Sequence, residues 1–282
     1  MIAFSVWPID IYRYWVFYVV AFMSAYIFFY LLAKRKVFMN YPKIHLLLDK
    51  HTDDLILYCV LWVLLWGRLW HILIYDLWYY FDSPREMLQF RKWGMSFIGG
   101  MVWVSVSMII FARKRKLKKS ELLRLLDLIL TITPLGIMFG RIWNFLNQEL
   151  YGILVPYDFR WLSNRIISLF QKLHIFHVYD NVDSFLRINT NLLAGFFEWF
   201  LLFVFTSIIL LKFIRKWIYR IGYITWFFLV RYSIARFFLE YLRMDSQSEF
   251  ILYLTKSQRF FICFFFLWLY FLLRNPQKVS IR

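Results

Sequence analysis

Seven apolar runs, near 11–33, 55–75, 95–112, 122–147, 191–214, 217–241 and 258–274, dictate what this chain can become. Each approaches the ~20 residues a helix needs to cross a bilayer. The apolar residues come as long blocks rather than as stripes at helical or strand spacing, so no one-sided surface is being patterned against a water-facing partner. At 62% apolar and 23% aromatic over 282 residues, one soluble core is excluded. The expected fold is all-α: a polytopic membrane protein with seven transmembrane helices, forming one domain over 1–282. An extracytoplasmic loop or small head is expected at about 148–190.

Charge sets the orientation. Lys34-Arg35-Lys36, Arg113-Lys114-Arg115-Lys116 with Lys118-Lys119, then Lys212, Arg215 and Lys216, and finally Arg274 and Lys278 all fall on one side of a seven-span chain. The positive-inside rule makes that side the cytoplasm, with the N-terminus outside and the C-terminus inside. A net charge of +17 would also suit a nucleic-acid binder. Here, however, the basic residues gather at the ends of apolar runs, which is the pattern of topology signals and anionic-lipid contact, so nucleic acid is excluded as a partner. Cys59 and Cys263 lie inside apolar runs and make no disulfide or metal framework. No removable leader is expected, because the first run is long enough to span and is followed by a basic stop signal. Trp7, Trp15, Trp78, Tyr79, Tyr80 and Trp161 fit an interfacial aromatic belt. The outward connections are 76–94, 148–190 and 242–257. The longest, with Tyr157-Asp158-Phe159-Arg160-Trp161, fits a small head or an interfacial flap.

Ionisable residues inside spans mark function by default, because each is costly unless paired or wet. Arg68, Arg141, Arg231 and Arg236 are such residues. In Gly140-Arg141-Ile142-Trp143-Asn144-Phe145-Leu146-Asn147-Gln148-Glu149-Leu150-Tyr151-Gly152, helical spacing puts Arg141, Asn144 and Gln148 on one face with Glu149 beside them. In Tyr232-Ser233-Ile234-Ala235-Arg236-Phe237-Phe238-Leu239-Glu240-Tyr241-Leu242-Arg243, the residues Tyr232, Arg236, Glu240 and Arg243 share a face. Two readings stand: a structural salt-bridge ladder, or an anion-binding wall in which Arg141 and Arg236 grip one phosphodiester. In Trp93-Gly94-Met95-Ser96-Phe97-Ile98-Gly99-Gly100-Met101 the paired glycines permit close approach of a helix or a lipid headgroup. His71, one turn from Arg68, is a candidate base. His174 and His177 lack the carboxylate spacing of a zinc site.

These three stretches resemble signatures of the prolipoprotein diacylglyceryl transferases of bacteria: G-R-I-G-N-F-I-N-G-E-L-[WY]-G, Y-G-x-x-R-F-x-x-E-x-x-R and G-G-M-S-F-H-G-G-L. Family-like pieces also occur at Gly67-Arg68-Leu69, Asp127-Leu128-Ile129 and Thr255-Lys256-Ser257-Gln258, with a weaker echo at Arg187-Ile188-Asn189-Thr190-Asn191. The resemblance implies transfer of diacylglycerol from phosphatidylglycerol to the cysteine thiol of a prolipoprotein signal peptide's lipobox, the first step of bacterial lipoprotein maturation. It implies no cofactor and no metal, and a multi-pass place in the bacterial plasma (inner) membrane. Carried over position by position, Arg141, Arg236 and Tyr232 are the catalytic set. Ser96, Gly99, Gly100, Asn144, Glu149, Glu240 and Arg243 are the lipid-binding set. The chain departs from the family at Trp143, Gln148 and Ser233, where glycine is usual, and at Ile98, where the family carries a histidine suited to the thiol proton. Proton removal is then expected from Tyr232, from His71, or from solvent acting on a thiol acidified beside the arginines. The alternative is a catalytically silent relative that binds phospholipid or signal peptides without turnover.

Overall fold

The structure is a computed structural model that describes residues 2–6, 9–39, 41–74, 77–85, 97–155, 162–216, 218–244, 254–274 and 278–280. The chain is mostly helical, and a helix occupies each of the seven apolar segments: α1 (Arg13–Lys34), α3 (Thr52–Ile74), α5 (Phe97–Lys114), α6 (Lys119–Leu146), the α8–α9 pair, α10 (Tyr223–Glu240) and α11 (Lys256–Arg274). Helix α8 (Thr190–Ala194) runs through a π-helical turn, Gly195–Phe200, into α9 (Leu201–Lys216). Shorter helices are α2 (Pro42–Lys50), α4 (Leu77–Asp82) and α7 (Asn164–Lys172). Among the described residues, Val16–Lys34, Lys119–Leu146 and Thr190–Lys212 are long and apolar enough to cross a membrane. On α1, Val19, Met23, Ile27 and Tyr30 follow one another at three or four residues and are half or more exposed. Such a stripe is costly in water and suits lipid.

Strands qualify the all-α expectation. Among the described residues, three antiparallel pairs are present: β1 (Ile2–Val6) with β2 (Ile9–Tyr12), β3 (Phe176–Val178) with β4 (Leu186–Ile188), and β5 (Ile218–Arg220) with β6 (Lys278–Ser280). Because β5 takes up residues 218–220, the sixth helix begins at Tyr223 rather than near 217.

Two compact units are formed, 26–125 and 1–25 with 126–282; α1 and α6 are each divided between them. In the first, α3 packs on α5, with the Tyr58 and Phe111 rings 5.5 Å apart. Arg115 closes an ion pair on Asp54, at the start of α3, and the Arg124 guanidinium lies 3.3 Å from the Tyr41 ring centroid. Arg68, buried at mid-helix, stacks on Tyr80 at 5.1 Å, which places it in the fold as a cation–π partner.

In the second unit, one carboxylate from α6 fixes the start of α10. Asp127 is fully buried; its Oδ2 accepts from the Gly222 N–H at 2.8 Å, and its Oδ1 from the Thr225 N–H (2.7 Å) and hydroxyl (2.6 Å). Gly222 precedes the helix at φ 76°, a left-handed conformation that a side chain resists. Asp127→Ala leaves three buried donors without an acceptor, at ~1–3 kcal/mol each. We expect a drop in thermal unfolding midpoint, smaller in Asp127→Asn, which keeps one acceptor oxygen; equal midpoints for Ala and wild type would contradict this cap. Helix α11 opens with a capping box: the Thr255 N–H donates to Gln258 Oε1 (2.9 Å) and the Gln258 N–H to Thr255 Oγ1 (3.1 Å). Gln258 Nε2 also donates to the Phe237 carbonyl of α10 at 3.0 Å, joining the two helices.

The described residues of the 148–190 connection (hereafter the head) gather on a small core. Val155, Phe176 and Ile188 form its core, with Ile167 and Phe170 of α7 packed on it. Hydrogen bonds from Gly152 to Ile188 (3.0 Å), from Ile153 to Leu242 (3.0 Å) and from Met244 to Tyr151 (3.1 Å) place 151–153 between β4 and the end of α10. A Cβ on Gly152 would lie 2.6 Å from the Ile188 oxygen and 2.9 Å from that of Leu242, so only glycine fits. The stretch Tyr157-Asp158-Phe159-Arg160-Trp161 lies outside the described residues.

Candidate functional site

Three helical segments bring a charged cluster into the apolar interior. Glu198, fully buried in the π-helical turn, accepts from Arg141 of α6 at 2.7 Å (Nη2) and 3.2 Å (Nε), both on Oε2. Its other oxygen accepts from Arg236 Nη1 of α10 at 3.4 Å. Arg236 Nη2 reaches Glu240 Oε2 one turn on (3.0 Å), and that oxygen also accepts from Arg243 Nη1 (3.2 Å). Both glutamates are nearly solvent-free, so each ionised carboxylate requires its arginines and each arginine its carboxylate. Among the described residues, three guanidiniums meet two carboxylates here. A π-turn displaces side chains from the regular helical face and recurs at functional sites; here it carries Glu198.

Arg236 Nε and, one turn earlier, Ser233 Oγ are buried and have no hydrogen-bond partner among the described residues. Tyr232 is fully buried between Phe228, stacked at 5.9 Å, and Phe261, edge-on at 6.0 Å. It is thus set one helical turn before Arg236 by aromatic packing.

The end of α6 joins the cluster to the head. The Asn144 carbonyl accepts from the Glu149 N–H at 2.9 Å. The Glu149 and Leu150 carbonyls accept from Asn191 Nδ2 (2.7 Å) and from the Thr190 hydroxyl. The Glu149 carboxyl is pushed up to about 7 by burial, which outweighs the lowering by a hydrogen bond with Asn147, and its Oε1 has no partner among the described residues. Gln148 explains why glycine suits its position: φ is 58° there, and its Oε1 accepts from the Asn181 N–H at 2.6 Å. Trp143 is buried with its ring 6.0 Å from Phe17. The weak echo at 187–191 turns out to be a structural joint. Arg187 pairs with Asp183, donates to the Gly152 carbonyl at 3.1 Å and stacks on Tyr151 at 4.9 Å. Arg187 and a backbone bond hold Asp183 below the usual carboxylate range. Asn189 caps α8 through the Leu192 N–H (3.0 Å). It also accepts from the Tyr179 hydroxyl at 3.2 Å, whose pKa burial pushes up to about 12. Burial and the adjacent His174 hold His177 below its ordinary value.

The structure therefore brings Arg141, Arg236, Glu240 and Arg243 together, sets Tyr232 on the helix of Arg236, and carries Asn144 near the end of α6 with Glu149 just beyond it. Gly99 and Gly100 lie in the first turns of α5, as does Ile98. Ser96 lies outside the described residues, and His71 falls within α3. The residue missing from the sequence reading is Glu198. Its signal was available: it is the single acid in an apolar run from 191 to 211, and an intramembrane carboxylate demands a cationic partner.

A buried arginine–carboxylate network held between apolar, membrane-length helices defines a multi-pass membrane protein with its polar machinery inside the helix bundle. A family model described as prolipoprotein diacylglyceryl transferase matches residues 1–274. The phosphatidylglycerol–prolipoprotein diacylglyceryl transferase of Rickettsia bellii (strain OSU 85-389) is 30% identical over 251 residues, 89% of this chain and 85% of that protein. The protein of the same name from Ehrlichia canis (strain Jake) is 31% identical over 99% of this chain and 98% of its own length. That from Ehrlichia ruminantium (strain Gardel) is 37% identical over 65% of this chain and 63% of its own. The chain belongs to the prolipoprotein diacylglyceryl transferase family, and is a transferase of the first step of lipoprotein maturation.

Proposed function

We propose that the protein transfers diacylglycerol from phosphatidylglycerol to the lipobox cysteine of prolipoprotein signal peptides. The thiolate sulfur attacks the glycerol carbon of the diacylglycerol unit, a C–S thioether bond forms, the C–O bond to phosphate breaks, and glycerol phosphate leaves with the electron pair. The thiol proton passes to a base or to solvent. One observation carries this: Arg141 and Arg236, from two helices, converge on the buried Glu198, with Arg236 Nε unpartnered among the described residues. Charge growing on a departing phosphate is best stabilised by donors already fixed in place. Arg141, Arg236 and Tyr232 form the catalytic set; Ser96, Gly99, Gly100, Asn144, Glu149, Glu240 and Arg243 bind lipid, with Glu240 and Arg243 holding Arg236 in register.

The test is direct. Purified protein, phosphatidylglycerol and a lipobox peptide should give a peptide heavier by one diacylglyceryl group; lipid binding with no mass shift would establish the silent relative instead. Arg141→Lys and Arg236→Lys should each lower turnover by ~10²-fold, the scale of one preorganised donor, because an ammonium cannot reproduce the planar fork. Lysine variants at wild-type rates would reduce the cluster to a salt-bridge ladder.

The fold is proposed as seven spans in the bacterial plasma (inner) membrane, with the N-terminus outside, the C-terminus cytoplasmic and the head at 148–190 outside, supported by the alternating basic clusters. Reporter fusions after Lys116 and Gln171 should score inside and outside; the same side for both would refute this.

A further inference from the structure

Helix α7 (Asn164–Lys172) is the most sharply amphipathic segment of the head, and only part of its apolar surface is used internally. Ile167 and Phe170 face the head core. Ile166, Leu169 and Leu173, at i, i+3 and i+7, form a second stripe, exposed at 39%, 52% and 54%. Advancing 100° per residue, this stripe lies between the core-facing pair and Arg165 with Lys172, which are seven residues apart, share a face and are both exposed. The helix carries no acidic residue. An apolar stripe bordered by cations is the pattern of a helix lying in a membrane interface.

The anchoring of the head places this face near that interface. The head begins within a few residues of the end of α6 at Leu146 and finishes where α8 begins at Thr190, both helices belonging to membrane-length segments. It is pinned a third time to the end of α10, through the backbone bonds of 151–153 with 242–244. Three tethers hold a segment this small against the level at which helices leave the bilayer. Its core reaches Leu193 of α8 and Leu242 beside α10.

We propose that Ile166, Leu169 and Leu173, flanked by Arg165 and Lys172, dock the head on the anionic phospholipid surface of the membrane the chain spans. The stripe enters the boundary between headgroups and acyl chains, while Arg165 and Lys172 meet lipid phosphates. The head thereby lies flat over the ends of α6, α8 and α10, whose residues carry the arginine cluster. This rests on the membrane-spanning fold and not on turnover.

The experiment uses the full chain with Cys59 and Cys263 replaced by Ala, in nanodiscs, carrying an environment-sensitive fluorophore at Leu169→Cys or at Gln171→Cys, on the opposite side of α7. With phosphatidylglycerol present, the Leu169 label should emit at shorter wavelength, lose quenching by aqueous iodide and gain quenching by a lipid with a nitroxide near its headgroup. The Gln171 label should remain open to iodide. Arg165→Glu with Lys172→Glu should return the Leu169 label to water. Equal iodide access at both positions overturns the docking. Protection without nitroxide quenching identifies a protein partner or second copy and overturns a lipid occupant. Unchanged protection in purely zwitterionic discs overturns the anionic assignment. Diacylglyceryl transfer measured on the same samples reports the enzymatic reading separately.

Discussion

Replacing Glu198 by Gln is expected to destabilise the protein by ~3–5 kcal/mol and to remove most of its turnover, because it strips a buried pair of arginines of their shared counter-charge. Glu198 has no solvent exposure and is held by Arg141 at 2.7 Å and Arg236 at 3.4 Å. Its loss removes one of the two carboxylates that, among the described residues, face the three guanidiniums. Glutamine offers an acceptor oxygen but no charge, so most of the desolvation cost of two guanidiniums stays unbalanced. Glu198→Asp keeps the charge on a shorter stem that cannot reach both arginines, and should fall between. The same arithmetic predicts rescue. A lipid phosphate supplies the missing negative charge, so phosphatidylglycerol should raise the unfolding midpoint of Glu198→Gln more than that of wild type. At a hundredfold excess over its dissociation constant, a ligand of the folded state contributes ~2.7 kcal/mol. Thermal unfolding in detergent, with and without phosphatidylglycerol, decides it. An unchanged midpoint would mean that Glu198 does not hold the arginines, and rescue equal to wild type would mean that the arginines do not meet lipid phosphate.

Arg141, Arg236, Glu240 and Arg243 were legible in the sequence because charge inside an apolar run is conspicuous and helical spacing says which charges share a face. Spacing cannot say which distant segment supplies the partner. Glu198 comes from a π-turn 57 residues from Arg141, and a π-turn breaks the period from which faces are inferred. Asp127 read only as part of a family-like piece; its acceptors' partners, Gly222 and Thr225, lie 95 and 98 residues away. The head was legible as a long polar connection but not as a fold, since its core is assembled from single residues of 153–188 with Leu193 and Leu242. The departures at Trp143 and Gln148 make contacts that spacing could not foretell: Trp143 on Phe17, and Gln148 on the backbone of Asn181.

Ile98→His is expected to raise turnover by ~10²–10⁴-fold, the contribution of one positioned general base. Ile98 opens α5, in the segment that resembles the family's histidine-bearing stretch, and isoleucine takes up no proton at any pH. The wild-type reaction must then draw on the small thiolate fraction of a cysteine whose ordinary pKa is ~8.5. Its rate should climb about tenfold per pH unit from 6 toward 8 and level off near the thiol pKa, shifted down to the extent that the arginine cluster favours the anion. With histidine in place, the climb should flatten above ~6.5, where imidazole becomes neutral and able to accept the proton. Ile98→Asn, polar but with no proton to exchange in this range, should gain nothing. A wild-type rate that is flat between pH 7 and 8 would sink the prediction, because it would mean that a base of suitable affinity already serves. Glu149, with its carboxyl pushed up to about 7, is the candidate for that task, and Glu149→Gln would then abolish the plateau. Tyr232 is the weaker substitute, since an ordinary phenol releases its proton near pH ~10 and at neutrality can only relay one; Tyr232→Phe should therefore lower the rate without moving the profile along the pH axis.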